Sequence, residues 1–283
     1  MNTADDVIIS AALTGAVTPK DINEHIPLTP QEIADDAYRC WQAGAAVVHL
    51  HMRDENGLGT MSRERFAETL RLLRAHRDCD VIINCTTSGD SLASDAQRMA
   101  HVSTLDDIEM ASWDAGSFNW MPAGVFVNSP AFLGQLGEIL TARGIKPEIE
   151  IFDSGMLGIA DYFVEQGKLR APLHYQFCLG IPGGMPATVE NLVYITQKLP
   201  AGSTWSAFGV GKHHLPIMFA SLALNGHIRV GLEDNVYFSR GVKATNSQLV
   251  ERAAQAVKLF GKRVATPAVA RKILGLPQPG GTR

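Results

Sequence analysis

Val47-Val48-His49-Leu50-His51-Met52-Arg53-Asp54 places two histidines inside an apolar run. The spacing predicts a buried strand over 46–52, and strand side chains alternate with a period of two. His49 and His51 therefore share one face, while Val48 and Leu50 take the other. Two neutral imidazoles converging from one strand face make a natural pair of metal ligands. Each offers one ring nitrogen while its second nitrogen is held by a neighbouring group. The plainer alternative is one core histidine and one surface histidine. The apolar run, the Arg-Asp that follows at once and the glycine-containing turn beyond favour the metal pair.

Outward from this stretch, short β-rich runs alternate with helical patterns. Strands are expected at 7–13, 46–52, 81–87, 107–112, 148–152, 173–179, 204–210 and 228–232. The helix before the histidine strand opens at Thr29-Pro30-Gln31-Glu32, with Thr29 as N-cap, Pro30 in the first turn and Glu32 closing a capping box; it stops at Gly44. Further helices are expected at 62–76, 91–101, 130–143, 154–166 and 189–198, from about His214, and at 245–260. Eight strand–helix units argue for a parallel sheet, and in 283 residues they fit an α/β fold of the (β/α)8 TIM-barrel type. No Gly-x-Gly-x-x-Gly follows the first strand, which weakens a dinucleotide-binding sheet. No linker-like shift in composition divides the chain, so it reads as a single domain, 1–283. The tail 276–283, with Pro277-Gln278-Pro279-Gly280-Gly281, reads as loose.

Bulk composition excludes several classes. The chain is 46% hydrophobic and 19% charged with a net charge of −4, so no basic face points to nucleic acid. No apolar run approaches the ~20 residues that span a bilayer. Asp5 and Asp6 stand where an export signal would be basic. The four cysteines, Cys40, Cys79, Cys85 and Cys178, show no Cys-x-x-Cys spacing and read as reduced thiols of a cytoplasmic protein.

A barrel demands that catalytic residues gather at the C-terminal ends of its strands. The expected ends carry Thr14, His49, His51, Thr86, Thr87, Ser112, Asp114, Glu150, Asp153 and Glu233-Asp234-Asn235. In a closed barrel strands two and eight flank strand one, so Glu233 can reach an ion held by His49 and His51. Two histidines and a carboxylate leave positions open for water and substrate, as at catalytic zinc. Iron(II) uses the same ligand set, so the set alone does not name the metal. Asp234 beside a divalent ion and Arg229 is a candidate base, with a structural ion pair as the bland reading. Gly183 and Gly184, in the loop after strand six, and Gly209 and Gly211 after strand seven are either turns or places where backbone N–H groups approach a phosphate or carboxylate.

Four motifs in order resemble the β-keto acid cleavage enzymes over nearly the whole chain. They are Thr14-Gly15-Ala16, His49-Leu50-His51-Met52-Arg53, Leu179-Gly180-Ile181-Pro182-Gly183-Gly184-Met185 and Gly226-His227-Ile228-Arg229-Val230-Gly231-Leu232-Glu233-Asp234-Asn235. The resemblance implies a zinc-dependent barrel in which a β-keto acid and acetyl-CoA give acetoacetate and the CoA ester of the shortened acid. It implies His49, His51 and Glu233 as zinc ligands, Asp234 as base and Arg229 as its partner. Glu150 falls on the family's acidic position, and Thr86 and Ser112 stand in for its small hydroxyl residues. Thr14, Val17, Gly183, Gly184 and Asn235 are expected to face substrate. Val17 departs from members that take an amino-bearing substrate, which carry Glu there, so a neutral keto acid is expected. The family implies a homotetramer.

Two other readings stand beside this one. Barrel amidohydrolases also use His-x-His, but on the first strand and with further histidines that His174, His214 and His227 do not reproduce in order. A non-catalytic metal-binding scaffold is the alternative from another class.

Overall fold

The computed structural model describes residues 3–278. Among the described residues, eight parallel strands close into a barrel: β1 (Ile9–Ala12), β2 (Val47–Leu50), β3 (Ile82–Cys85), β4 (Met110–Asp114), β5 (Lys146–Ile151), β6 (His174–Leu179), β7 (Thr204–Gly209) and β8 (His227–Val230). The barrel closes where Arg229 of β8 lies opposite Ser10 of β1. A helix follows each strand: α1 (Pro30–Ala43), α2 (Arg63–Ala75), α3 (Asp95–Thr104), α4 (Pro130–Arg143), α5 (Met156–Glu165), α6 (Val189–Thr196), α7 (His214–Ala223) and α8 (Asn246–Leu259).

Local chemistry sets the helix ends. At α1 the Thr29 hydroxyl accepts from the Glu32 N–H at 3.2 Å, the Glu32 carboxylate accepts from the Thr29 N–H at 3.0 Å, and Gly44 ends the helix at φ 116°. Its buried Ile33, Ala34, Ala37 and Cys40, three and four residues apart, form the face that packs inward. Burying the Ile33 side chain contributes ~1.5–3 kcal/mol, and each alanine methyl ~0.8 kcal/mol. Helix α3 starts later than expected, at Asp95 rather than 91, because Ser94 and Gln97 form the capping box.

Strand parity divides apolar from polar. Val48, Leu50, Ile83, Ile149 and Ile151 face the helices in one apolar cluster, where the Trp113 indole donates to the Leu133 carbonyl of α4 at 3.0 Å. Residues of the other parity (His49, Asn84, Ser112, Glu148, Gln176 and Arg229) are buried and polar, and they fill the barrel. Barrel interiors are usually packed with branched apolar residues. A polar interior is a site, and it has to be closed off below.

The closure is a ninth helix, α9 (Pro267–Leu274), which the sequence reading did not place. Ala270 and Leu274 join Ile8, Val47, Ile82 and Met110 in an apolar floor. Arg271 beneath them holds Glu109 at 2.7 and 2.9 Å. The tail expected to be loose from 276 is pinned at its first residue: Leu276 is buried in the floor, and its N–H reaches the Arg271 carbonyl at 2.8 Å. Residues 279–283 of that tail lie outside the described residues. Strand four also shifts, from 107–112 to Met110–Asp114, so Ser112 sits mid-strand. Short hairpins that the sequence reading did not place follow β2 (Met52–Arg53 with Gly59–Thr60), β4 (Phe118–Trp120 with Gly124–Phe126) and β8 (Tyr237–Ser239 with Val242–Lys243).

The lower interior makes a pH-dependent contribution to stability. His227 Nδ1 accepts the Ile8 N–H at 3.1 Å, which requires the neutral ring. Burial, with Lys262 adding to it, pushes His227 down to about 4. An unfolded histidine takes up its proton near 6.5. The stabilisation is therefore complete above that value and is lost as pH falls toward 4, roughly 3 kcal/mol in all. Unfolding free energy measured by urea titration is expected to fall across this window. His227→Asn keeps an acceptor for Ile8 and should make the fall shallower, with the buried His101 and His174 supplying the remainder. An unchanged pH dependence in that variant would remove His227 from the account.

Candidate active site

His49 comes from the inner face of β2 and His51 from just past its end, with ring centroids 5.1 Å apart. Glu233 reaches them because β8 turns sharply at Gly231. That residue has φ +149°, and a Cβ there would lie 1.9 Å from the Ala12 carbonyl oxygen, so only glycine fits. The Glu233 Oε1 lies 3.7 Å from His49 Nε2 and 3.5 Å from His51 Nε2. These separations approach the edge of a tetrahedron with Zn–N bonds of ~2.0–2.1 Å, an edge of roughly 3.3 Å. Glu233 Oε2 is buried without a hydrogen-bond partner. Burial holds the His49 imidazole well below its ordinary value, so it is neutral, as a ligand must be. Burial works to raise Glu233, but the positive charge around it, Arg229 included, holds it well below the carboxylate range. The three residues fit a divalent ion.

A second grouping, His49 with Glu148 and Glu150, is equally compact. It uses the other side of the same ring: His49 Nδ1 faces Glu148 Oε1 at 4.0 Å. One imidazole with Nε2 turned to Glu233 has an N–H to give on Nδ1, so Glu148 fits better as its acceptor than as a ligand. The sequence reading missed Glu148. Its signal was the spacing from Glu150, which puts both on the inner face of β5.

Arg229 is the hub of the remaining polar groups. Its Nε and one terminal nitrogen hold both oxygens of Asp234 at 2.9 Å each. That nitrogen also donates to Glu233 at 2.6 Å, the other reaches Glu150 at 3.4 Å, and the guanidinium carbon stands 4.4 Å from the centre of the Phe208 ring. Burial works to lower Arg229, but Asp234 and Glu233 hold it well above its ordinary value, so it stays charged. Burial outweighs Arg229 at Asp234, which is pushed up to about 6. Glu150 is pushed well above the carboxylate range, first by burial and then by Asp114, its neighbour in register on β4. The sequence reading named Asp114 at a strand end but gave it no role.

The other expected site residues are distributed unevenly. Thr14 is fully buried at the end of β1. Thr86 accepts from the Ser88 N–H at 3.1 Å. Ser112 accepts from the Thr87 N–H at 3.0 Å, and its carbonyl accepts from the Thr87 hydroxyl at the same distance. Val17 is 77% exposed on the loop after β1. Asn235 is committed to its own loop, donating to the Tyr237 carbonyl at 2.5 Å. Gly183 and Gly184 serve packing: a Cβ at Gly183 would lie 1.7 Å from the Asn119 carbonyl oxygen, and one at Gly184 2.7 Å from that of Phe152. The Gly184 N–H already reaches the Ile181 carbonyl at 2.9 Å, so it is not free for an anion.

A closed (β/α)8 barrel with two histidines, a buried arginine and its carboxylates at the C-terminal mouth has the architecture of a barrel enzyme. The chain belongs to the β-keto acid cleavage enzyme family, whose sequence model matches residues 6–276. It is 39% identical to the 3-keto-5-aminohexanoate cleavage enzyme of Fusobacterium nucleatum, over 96% of this chain and 98% of that one. It is 37% identical to the 3-oxoadipate:acetyl-CoA acetyltransferase of Cupriavidus necator, over 95% of each. In three dimensions it resembles apo ObcA with a TM-score of 0.80 at 22% identity, over 89% of this chain and 66% of that one; this likeness concerns the fold alone.

Proposed function

We propose that the chain transfers CoA from acetyl-CoA to a β-keto acid with carbon–carbon cleavage, releasing acetoacetate and the CoA ester of the shortened acid. The observation that carries the reading is the two-point grip of Arg229 on Asp234 beside the His49, His51 and Glu233 set. A divalent ion held by those three, zinc in this reading, would supply Lewis-acid polarisation of the substrate's keto and carboxylate oxygens.

The chain's own residues do the rest. Asp234, a buried carboxylate adjoining the ligand Glu233, takes the proton between the two carbonyls as general base. Arg229 fixes both Asp234 oxygens, and Glu150 and Glu233 fix Arg229. The carbanion attacks the thioester carbonyl, and the CoA sulfur moves to the substrate's keto carbon. The bond between the second and third carbons then breaks, and the proton on Asp234 returns to the acetoacetate carbanion. Thr86 and Ser112 donate to the developing oxyanions. The hydrolase and scaffold alternatives lose their support, because the chain belongs to a family of cleavage enzymes. The test is to incubate purified protein with acetyl-CoA and a panel of β-keto acids, and to look for acetoacetate together with a new CoA ester.

Cytoplasmic location and a homotetramer belong to the same proposal. Supporting the first, the cysteines are free thiols and no helix among the described residues is long and apolar enough to cross a membrane. Light scattering tests the second.

Substrate choice rests on Val17. Relatives are named for an amino-bearing keto acid, for 3-dehydrocarnitine and for 3-oxoadipate, so the far end of the substrate varies among them. Valine offers no partner to an ammonium, and a neutral keto acid is the proposed substrate. At 77% exposure a glutamate at position 17 would be screened. Its pairing with an ammonium is then worth ~0.2–1 kcal/mol, a change of about 1.4-fold to fivefold. Val17→Glu is expected to shift kcat/KM toward 3-keto-5-aminohexanoate, relative to an alkyl analogue of equal length, by that factor. A wild type that already prefers the amine would remove Val17 from specificity.

A further inference from the structure

Arg53 continues the inward parity of His49 and His51, yet it takes no part in the chemistry above. It is 2% exposed and holds four carbonyl oxygens from two loops. Its Nε donates to Gly15 at 2.7 Å, one terminal nitrogen to Thr14 at 3.2 Å and Thr18 at 2.9 Å, and the other to Gly57 at 2.7 Å. A buried cation directed at neutral acceptors is expensive unless its geometry is needed. Here the loops lie 35 to 39 residues from Arg53 on one side and four on the other. Only a planar fork with five donors spans them; a lysine ammonium is a single point with three.

The clamped loop matters to the site. Gly15, at φ +61°, lies so close to Glu233 that a Cβ would stand 2.8 Å from its Cγ. The position of a Cβ on Gly59 would be 3.0 Å from the Ala16 methyl and 2.1 Å from the Gly89 carbonyl oxygen, so three loops meet beside His51. Val17 stands between the clamped residues Gly15 and Thr18.

We propose that Arg53 is a positioning residue that locks the loop 14–18 to the hairpin after β2, and so fixes the wall of the mouth that selects the keto acid. The inference rests on the proposed function for its substrate and on the hydrogen bonds for its mechanism.

The experiment compares wild type, Arg53→Met and Arg53→Lys. Metal content is measured in all three, because Gly15 packs on the ligand Glu233, and kinetics are compared at full metal occupancy. Amide exchange over 14–18 and 57–59 should quicken by roughly tenfold or more in both variants while the barrel strands stay protected. With acetyl-CoA, KM for the keto acid should rise by roughly tenfold with kcat changed less. The ratio of kcat/KM between 3-oxohexanoate and 3-oxoadipate should move toward one. Unchanged exchange over 14–18 overturns the clamp, as does faster exchange with wild-type KM and selectivity. If Arg53→Met does not fold, Arg53→Lys carries the same test with the charge kept. If wild type cleaves no keto acid, the function fails, and the exchange result still decides the clamp.

Discussion

Asp234→Asn is expected to keep its metal and lose about 10²–10⁴ in kcat, the range of a lost general base. The substitution preserves shape. The amide oxygen can still accept from Arg229, whose charge remains balanced by Glu233 at 2.6 Å. The fold should therefore hold, while the basicity is removed together with one of the two Arg229 contacts, because the amide nitrogen cannot accept. Proton removal can be read separately from cleavage: without acetyl-CoA, wild type in deuterated water should exchange the protons between the two carbonyls faster than buffer alone, and the variant should not. Arg229→Lys should also be severe, because an ammonium cannot grip both Asp234 oxygens at once. Near-normal turnover in Asp234→Asn would move the base elsewhere. Glu150 would be next in place, but burial and Asp114 hold it toward the protonated form, which makes it a poor base.

The contrast between Asp234 and Glu148 shows where reading a sequence reaches its limit. The alternation of strands and helices is written in apolar periodicity and in caps such as Thr29-Pro30 and Ser129-Pro130, so the barrel was legible, and with it the placing of strands two and eight on either side of strand one. His49, His51 and Glu233 followed from that topology, because closure alone puts β8 beside β1. Glu148 and Asp114 were harder: a buried carboxylate in a strand looks the same whether it faces the barrel or a helix until a partner of known parity is found. The helix α9 carried the same signal as α1, Thr266-Pro267 at its start and Gly275 at its end, but the count of strand–helix units was already complete at eight. The role of Arg53 was out of reach. It depends on which carbonyls two distant loops turn inward, and those directions come from packing. The glycines at 183 and 184 were legible as a demand for glycine, but the hairpin and Phe152 backbone that impose the demand were not.

His51→Ala is expected to abolish metal binding while leaving the barrel folded. Structural zinc sites with four ligands are worth ~10–16 kcal/mol, so one ligand accounts for roughly 10²- to 10³-fold in affinity. That is enough to empty the site in a competitive chelator. His51 is the cleaner of the two histidines to remove. It lies past the end of β2 and is 7% exposed, so water can fill the space its ring leaves. His49 is 1% exposed, and its Nδ1 faces Glu148, which burial already pushes up to about 7. Removing that ring takes away the metal ligand, opens a cavity and leaves the buried Glu148 without its imidazole neighbour. His49→Ala should therefore lose stability as well as metal, by about 2–5 kcal/mol on the scale of large-to-small core substitutions. Elemental analysis and thermal denaturation separate the cases: both variants without metal, but only His49→Ala with a clearly lowered midpoint. Full metal content in purified His51→Ala would show that the ion is held by another set, and the grouping of His49 with Glu148 and Glu150 would then be the set to test.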